Sequence, residues 1–100
     1  MKTPFNNLDK VLEHRVRLQI VSVLAIHESY DFRTLKELLA ITDGSLATHM
    51  KALERERYIS TTKSFVDRKP NTRYRLVERG KTAFKKHLDA MAEVIRSQRR

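Results

Sequence analysis

The sequence predicts one mainly helical domain with a single small β-hairpin. Three observations predict this class. Apolar residues recur at helical spacing over most of the chain, the period changes from 3.6 to 2 after Tyr58, and only two glycines and two prolines interrupt 100 residues. With 40% hydrophobic residues the chain can build one modest core, burying roughly two-thirds of its unfolded surface. No repeat or low-complexity linker divides it.

The first helix is expected over residues 8–27, from Leu8 to His27, because Leu12, Val16, Ile20, Val23 and Leu24 fall on one face. "SYDF" then breaks the pattern and can form a short strand. Thr34 and Glu37 make a T-x-x-E capping box, so a second helix is expected over 34–41 with Leu35, Leu38 and Leu39 as its apolar residues. Thr42 can cap a third helix over 43–57, with Asp43 facing the positive end of the dipole. Leu46, Met50 and Leu53 share a narrow inward arc, and Ser45, Thr48, His49 and Ala52 are placed on nearly the opposite one. "YISTTKSFV" has strand composition, "DRKPN" has turn chemistry, and "TRYRLV" alternates Thr72, Tyr74 and Leu76 with Arg73, Arg75 and Val77. A hairpin over 58–77 follows. The last helix is expected over 78–97, where Phe84, Leu88, Met91 and Ile95 recur at i, i+4, i+7 and i+11.

Charge narrows the partners. Lys and Arg number 21 against 12 Asp and Glu, a net charge of +9, and the isoelectric point is near 10.3. The excess concentrates in the hairpin, where Lys63, Arg68, Lys69, Arg73 and Arg75 meet only Asp67. A basic surface of this kind fits a polyanion.

The order helix, short strand, helix, turn, helix and basic hairpin is the plan of a winged helix-turn-helix with long N- and C-terminal helices. It also explains the small polar start of the third helix, "TDGSLATH". A helix lying in a major groove about 12 Å wide needs small or hydrogen-bonding residues near its N-terminus. Gly44 and Ser45 then allow close approach to a phosphate, Thr48 and His49 reach base edges or phosphates, and Lys51 reaches a phosphate. Arg68 and Lys69, at the hairpin tip, are placed at the adjacent minor groove, with Lys63 and Arg73 as further hairpin contacts. For Arg73 a plain solvated strand face is the competing reading.

These residues also carry a family resemblance. "DFRTLKELLAITDGSLATHMKALERERYI", followed by "KSFVDRKPNTRYRLVERGKTAFKKHL", resembles the compact winged-helix DNA-binding regulators related to the MarR and ArsR groups. The likeness runs from "HRVRLQIVSVL" to the last helix, and its most specific pieces are "TDGSLATHMKALE", "KPNTRYRLVERGKTAF" and Gly80. It implies a homodimeric transcription regulator. One departure stands out: members usually carry a glycine just before the first wing strand, whereas this chain has Arg57 before Tyr58. The turn must form without it.

Dimerisation has its own argument. The apolar stripe of the last helix, Phe84, Leu88, Met91 and Ile95, continues beyond what a three-helix core covers, so pairing with a second copy is expected to bury it. Two recognition helices would then read a pseudo-palindrome with half-sites about 10 bp apart. The expected function is a sequence-specific double-stranded DNA-binding regulator that represses by occlusion. A nonspecific architectural DNA-binding protein and a winged-helix protein-interaction module are the alternatives.

Other classes are disfavoured. Two glycines cannot make a Gly-rich phosphate loop, and no Ser/His/Asp set has catalytic spacing, so no enzyme is expected. With no cysteine there is neither a disulfide nor a thiolate metal site. His14, His27, His49 and His87 are scattered, and His87 with Asp89 or Glu93 makes only a weak metal candidate, so no metal or cofactor is expected. The N-terminus "MKTPFNNLDK" has no apolar signal core and "VSVLAI" is too short to span a bilayer; a cytoplasmic protein is the expectation.

Overall fold

The computed structural model describes residues 3–99. A short 3-10 helix, Pro4–Asn7, leads into α1 (Arg15–Ile26), β1 (Tyr30–Asp31), α2 (Phe32–Leu39), α3 (Asp43–Arg55), β2 (Ile59–Val66), β3 (Lys69–Leu76) and α4 (Glu78–Ser97). The strands form one antiparallel sheet in the order β1-β3-β2. This is the winged-helix arrangement.

The first helix is shorter than its apolar pattern suggests. It starts at Arg15, not Leu8, because the His14 side chain caps it by accepting from the Val16 N–H. Upstream, Asp9 folds the chain into a turn: its Oδ1 accepts from the N–H groups of Val11 (2.8 Å) and Leu12 (3.3 Å). The turn is pinned from outside. Tyr58 donates its hydroxyl to Asp9 Oδ2, buried His87 Nδ1 on α4 accepts the Asp9 N–H at 2.9 Å, and Arg17 donates to the Val11 carbonyl at 2.8 Å. Leu12 is therefore fully buried although it is not helical. Withdrawal from water and the Asp9 carboxylate together push the Tyr58 phenol well above its usual range.

The second helix begins two residues before the expected 34–41. Asp31 caps it, accepting from the Thr34 N–H at 2.7 Å, while Glu37 pairs with Arg33 at 3.2 Å instead of reaching back to a Thr34 cap. Hydrogen bonds from Thr34 hold the Asp31 carboxyl below its ordinary range. The helix stops at Leu39 because Ala40 turns left-handed, with φ 53°.

The third helix ends at Arg55, short of the expected 57, and its exit explains the missing glycine. The Tyr58 N–H reaches the Leu53 carbonyl (3.0 Å) and the Arg57 N–H reaches the Glu54 carbonyl (2.9 Å). This is a Schellman motif with Arg57 itself in the left-handed region, φ 63°. A Cβ in that conformation costs about 1–2 kcal/mol. Arg57→Gly is therefore expected to raise unfolding stability by about 1 kcal/mol, read as a higher urea midpoint with unchanged slope.

The expected hairpin over 58–77 resolves into two strands joined at Asp67-Arg68, both left-handed (φ 52° and 64°) and closed by the Val66↔Lys69 pair. Positive φ at both central residues is the type I′ turn that matches strand twist. Ile59, Tyr74 and Leu76 join Ile20, Val21, Leu24, Leu35, Leu46, Met50 and Leu53 in the core. The start of α4 crosses directly over Tyr58, whose carbonyl accepts the Val77 N–H at 3.0 Å. Gly80 is buried at this crossing.

Two strips run along α4, the outer one apolar. Gly80, Ala83, His87, Ala90 and Val94 face the body of the domain, whereas Leu88, Met91 and Ile95 remain 43%, 37% and 55% exposed. Phe84, expected in that outer stripe, is half-buried and packs on the core. The radius of gyration is 15.3 Å, against about 13 Å for a compact chain of this length. The wing and the outer strip of α4 thus lack the cover that a compact monomer would give them. No helix among the described residues is long and apolar enough to cross a membrane.

Candidate nucleic-acid interface

Thr42 sets the position of α3, its hydroxyl accepting from the Ser45 N–H at 3.1 Å. Lys36 of α2 bonds Asp43 at 2.9 Å and ties the two helices together at the turn between them. Leu46, Met50 and Leu53 anchor the inner face. Opposite them, Gly44, Thr48, Lys51 and Arg55 are exposed, at i, i+4, i+7 and i+11.

The outward arc is thus rotated from the one expected at Ser45, Thr48, His49 and Ala52. Thr48 lies on it, with its hydroxyl donating to the Gly44 carbonyl at 2.9 Å; the hydroxyl oxygen and methyl group remain for an outside contact. Ser45 sits half-buried on the flank. His49 does not point outward. Its ring lies 4.2 Å from that of His14, and its Nδ1 is buried without a hydrogen-bond partner. This packing sets His49 against the start of α1, on the flank of the outward arc. Arg55 joins the exposed arc in addition to the residues expected from the sequence, and its i+11 spacing from Gly44 is the signal for it.

The His49 site has a pH consequence. Desolvation first, then the nearby His14 and Arg17 charges, lower its pKa below the ordinary imidazole value. The folded state therefore favours neutral His49. Stability is complete above the unfolded-state pKa, near 6.5, and is lost as pH falls toward and through the lower folded value. His49→Gln is expected to flatten this part of the melting temperature against pH curve; an unchanged curve removes His49 as its source.

Gly44 has open space around its Cα: a Cβ built there meets nothing within 4 Å. Folding does not demand glycine here, whereas close approach of an external backbone would.

On the wing, Lys63, Arg68 and Lys69 are exposed, and with Lys51 and Arg55 they have no ion-pair partner among the described residues. Arg73 behaves differently. Its guanidinium donates to the Ser29 hydroxyl (3.0 Å) and carbonyl (3.3 Å) and approaches Asp31 at 3.9 Å. Arg75 pairs with Glu28 at 3.2 Å. Both arginines clamp β3 to the α1–β1 loop, and Arg73 remains exposed on the strand face. On α4, the His87 ring accepts the Asp9 N–H, while Asp89 and Glu93 pair with Lys85 and Arg96. No group of three potential metal ligands occurs among the described residues.

The surface so assembled is a helix face flanked by a cationic hairpin, and comparison with known proteins identifies the fold that carries it. A model described as a winged helix DNA-binding domain matches residues 16–95. An uncharacterized protein of Methanocaldococcus jannaschii is 34% identical over 79 residues, covering 79% of this chain and 86% of that protein. A transcriptional regulator homologue from Pyrococcus horikoshii superposes with a TM-score of 0.83 at 29% identity, covering 90% and 89% of the two chains. Lactococcus lactis ZitR, a zinc-responsive MarR family member, was solved as a variant in complex with DNA. It shares the fold at a TM-score of 0.62 and 17% identity, over 84% of this chain and 56% of its own. The chain belongs to the winged-helix DNA-binding domain family and has the MarR-like fold of transcription regulators, which are not enzymes.

Proposed function

We propose that the protein works as a homodimer that reads a pseudo-palindromic DNA site and represses transcription by occupying it. The observation that carries this reading is the arc Gly44, Thr48, Lys51 and Arg55, exposed on α3 beside the unpaired wing cations Lys63, Arg68 and Lys69. Acid is absent from that arc; Asp43 and Glu54 lie on its flank, where they bond Lys36 and Thr61. Ser45 supports the helix start from the side. Such a face suits the major groove, with the wing over the neighbouring backbone and minor groove. The DNA-bound ZitR neighbour supports the same use of the fold.

The exposed strip Leu88, Met91 and Ile95, with Phe84 at its inner end, supports pairing of α4 with its symmetry mate. Two α3 helices then face successive major grooves, and a bound dimer blocks polymerase by occupancy in the cytoplasm. Selection from a random double-stranded pool at about 150 mM salt tests this. The expected product is a pseudo-palindrome with half-sites about 10 bp apart. Retention without sequence enrichment would indicate an architectural protein, and no retention a protein-interaction module.

A further inference from the structure

The wing carries an apolar feature that phosphate binding does not use. Phe65, two residues before the turn, is 76% exposed, and its cross-strand partner is Pro70, also exposed. In a two-residue hairpin closed by Val66↔Lys69, the next pair is the non-hydrogen-bonded kind, where side chains approach most closely. Pro70 therefore loses no bond to β2 through its missing N–H, and its ring stands beside the Phe65 ring position. A strand's period of two puts Ile59, Thr61, Lys63 and Phe65 on one face. That face runs from the core outward. Ile59 is buried, and Thr61 donates to Glu54 of α3 at 2.9 Å, so the Phe65 end lies on the side of the wing turned toward the reading helix.

Lys63 shares the strand face of this apolar pair, Arg68 sits in the turn and Lys69 projects from the other face, none with an ion-pair partner among the described residues. An apolar tip bordered by unpaired cations is unsuited to an apolar protein groove, which would desolvate the neighbouring charges without compensation. It suits a groove walled by phosphates and floored by base edges. We propose that Phe65, backed by Pro70, is a wedge that enters the DNA minor groove and unstacks one base step while Arg68 and Lys69 hold the flanking backbone. The inference rests on the DNA-binding reading above and adds to it a bend in the DNA and a preference for a deformable step under the wing. Pyrimidine–purine steps such as TpA open most easily, and A-tracts resist opening.

The test uses the selected site in duplexes of about 30 bp, dye-labelled at both ends, with either TpA or ApA under the wing. Wild-type protein is expected to shorten the end-to-end distance and to prefer the TpA duplex roughly tenfold. Phe65→Thr keeps strand propensity but removes the ring. It is expected to lose the bend and the TpA preference, and to leave the salt dependence of binding unchanged because Phe neutralises no phosphate. Phe65→Leu, a smaller wedge, should retain part of both effects. If wild-type protein binds and bends DNA while Phe65→Thr matches it in bend and step preference, the wedge is wrong and the DNA-binding reading stands. A change in oligomeric state alone would assign Phe65 to contacts between copies and likewise overturn the wedge. Failure of wild-type protein to bind any duplex overturns both.

Discussion

Gly80→Ala is expected to destabilise the protein by about 3 kcal/mol or more, because the added carbon has no place to go. It would overlap the Tyr58 carbonyl oxygen, lie 2.9 Å from the Tyr58 carbonyl carbon and 2.6 Å from Leu76 Cδ1. A leucine methyl can rotate aside; a backbone carbonyl cannot. That carbonyl also accepts the Val77 N–H that starts α4, and the Tyr58 hydroxyl holds Asp9. Moving it therefore disturbs the helix start, the wing root and the N-terminal turn together. Urea denaturation measures the effect, and a loss below about 1 kcal/mol would mean that α4 can shift at little cost. Gly44→Ala is the control. It should leave stability within about 1 kcal/mol of wild type, since the site is open and alanine is the better helix former. Any loss of DNA binding it causes must then come from the interface.

The largest expected effect on binding comes from the wing. Replacing Arg68 and Lys69 with Ala is expected to weaken binding at least tenfold at about 150 mM salt, on every sequence alike. Each lost phosphate contact removes about 0.9 from the slope of log affinity against log salt, so a dimer should lose between about 2 and 4 units. Arg68 occupies a left-handed turn position, and its replacement changes no ion pair among the described residues. Stability should therefore change little. Unchanged affinity and slope would remove the wing from the interface. Thr48→Ala and Arg55→Ala should act otherwise, changing the preferred sequence within each half-site.

The parts of the fold that were legible in the sequence were those with local causes. The period change at Tyr58 marked the hairpin, and the Leu46, Met50 and Leu53 arc marked the inner face of α3, because both patterns repeat within a few residues. Thr42 was legible as a cap for the same reason. The misreadings share a nonlocal origin. Leu12 fits a helical stripe yet is buried from a turn, since Asp9 is held by Tyr58 and His87 from distant parts of the chain. Helical spacing alone places His49 outward, opposite Leu46, but its flank of α3 is covered by His14. Arg73 was correctly placed on an exposed strand face, but its partners Ser29 and Asp31 approach through the sheet and not along the chain. Charge counting alone cannot separate such a clamp from the unpaired cations at the wing tip.

In the proposed dimer, two copies of α3, held apart by paired α4 helices, read successive major grooves on one face of DNA. Insertion of about 5 bp between the half-sites of the selected operator probes this arrangement, since half a turn carries one half-site to the opposite face. Equilibrium binding is expected to fall to that of an isolated half-site. Binding undiminished by the insertion would rule out that dimer, because a rigid pair of α3 helices cannot follow both half-sites around the duplex.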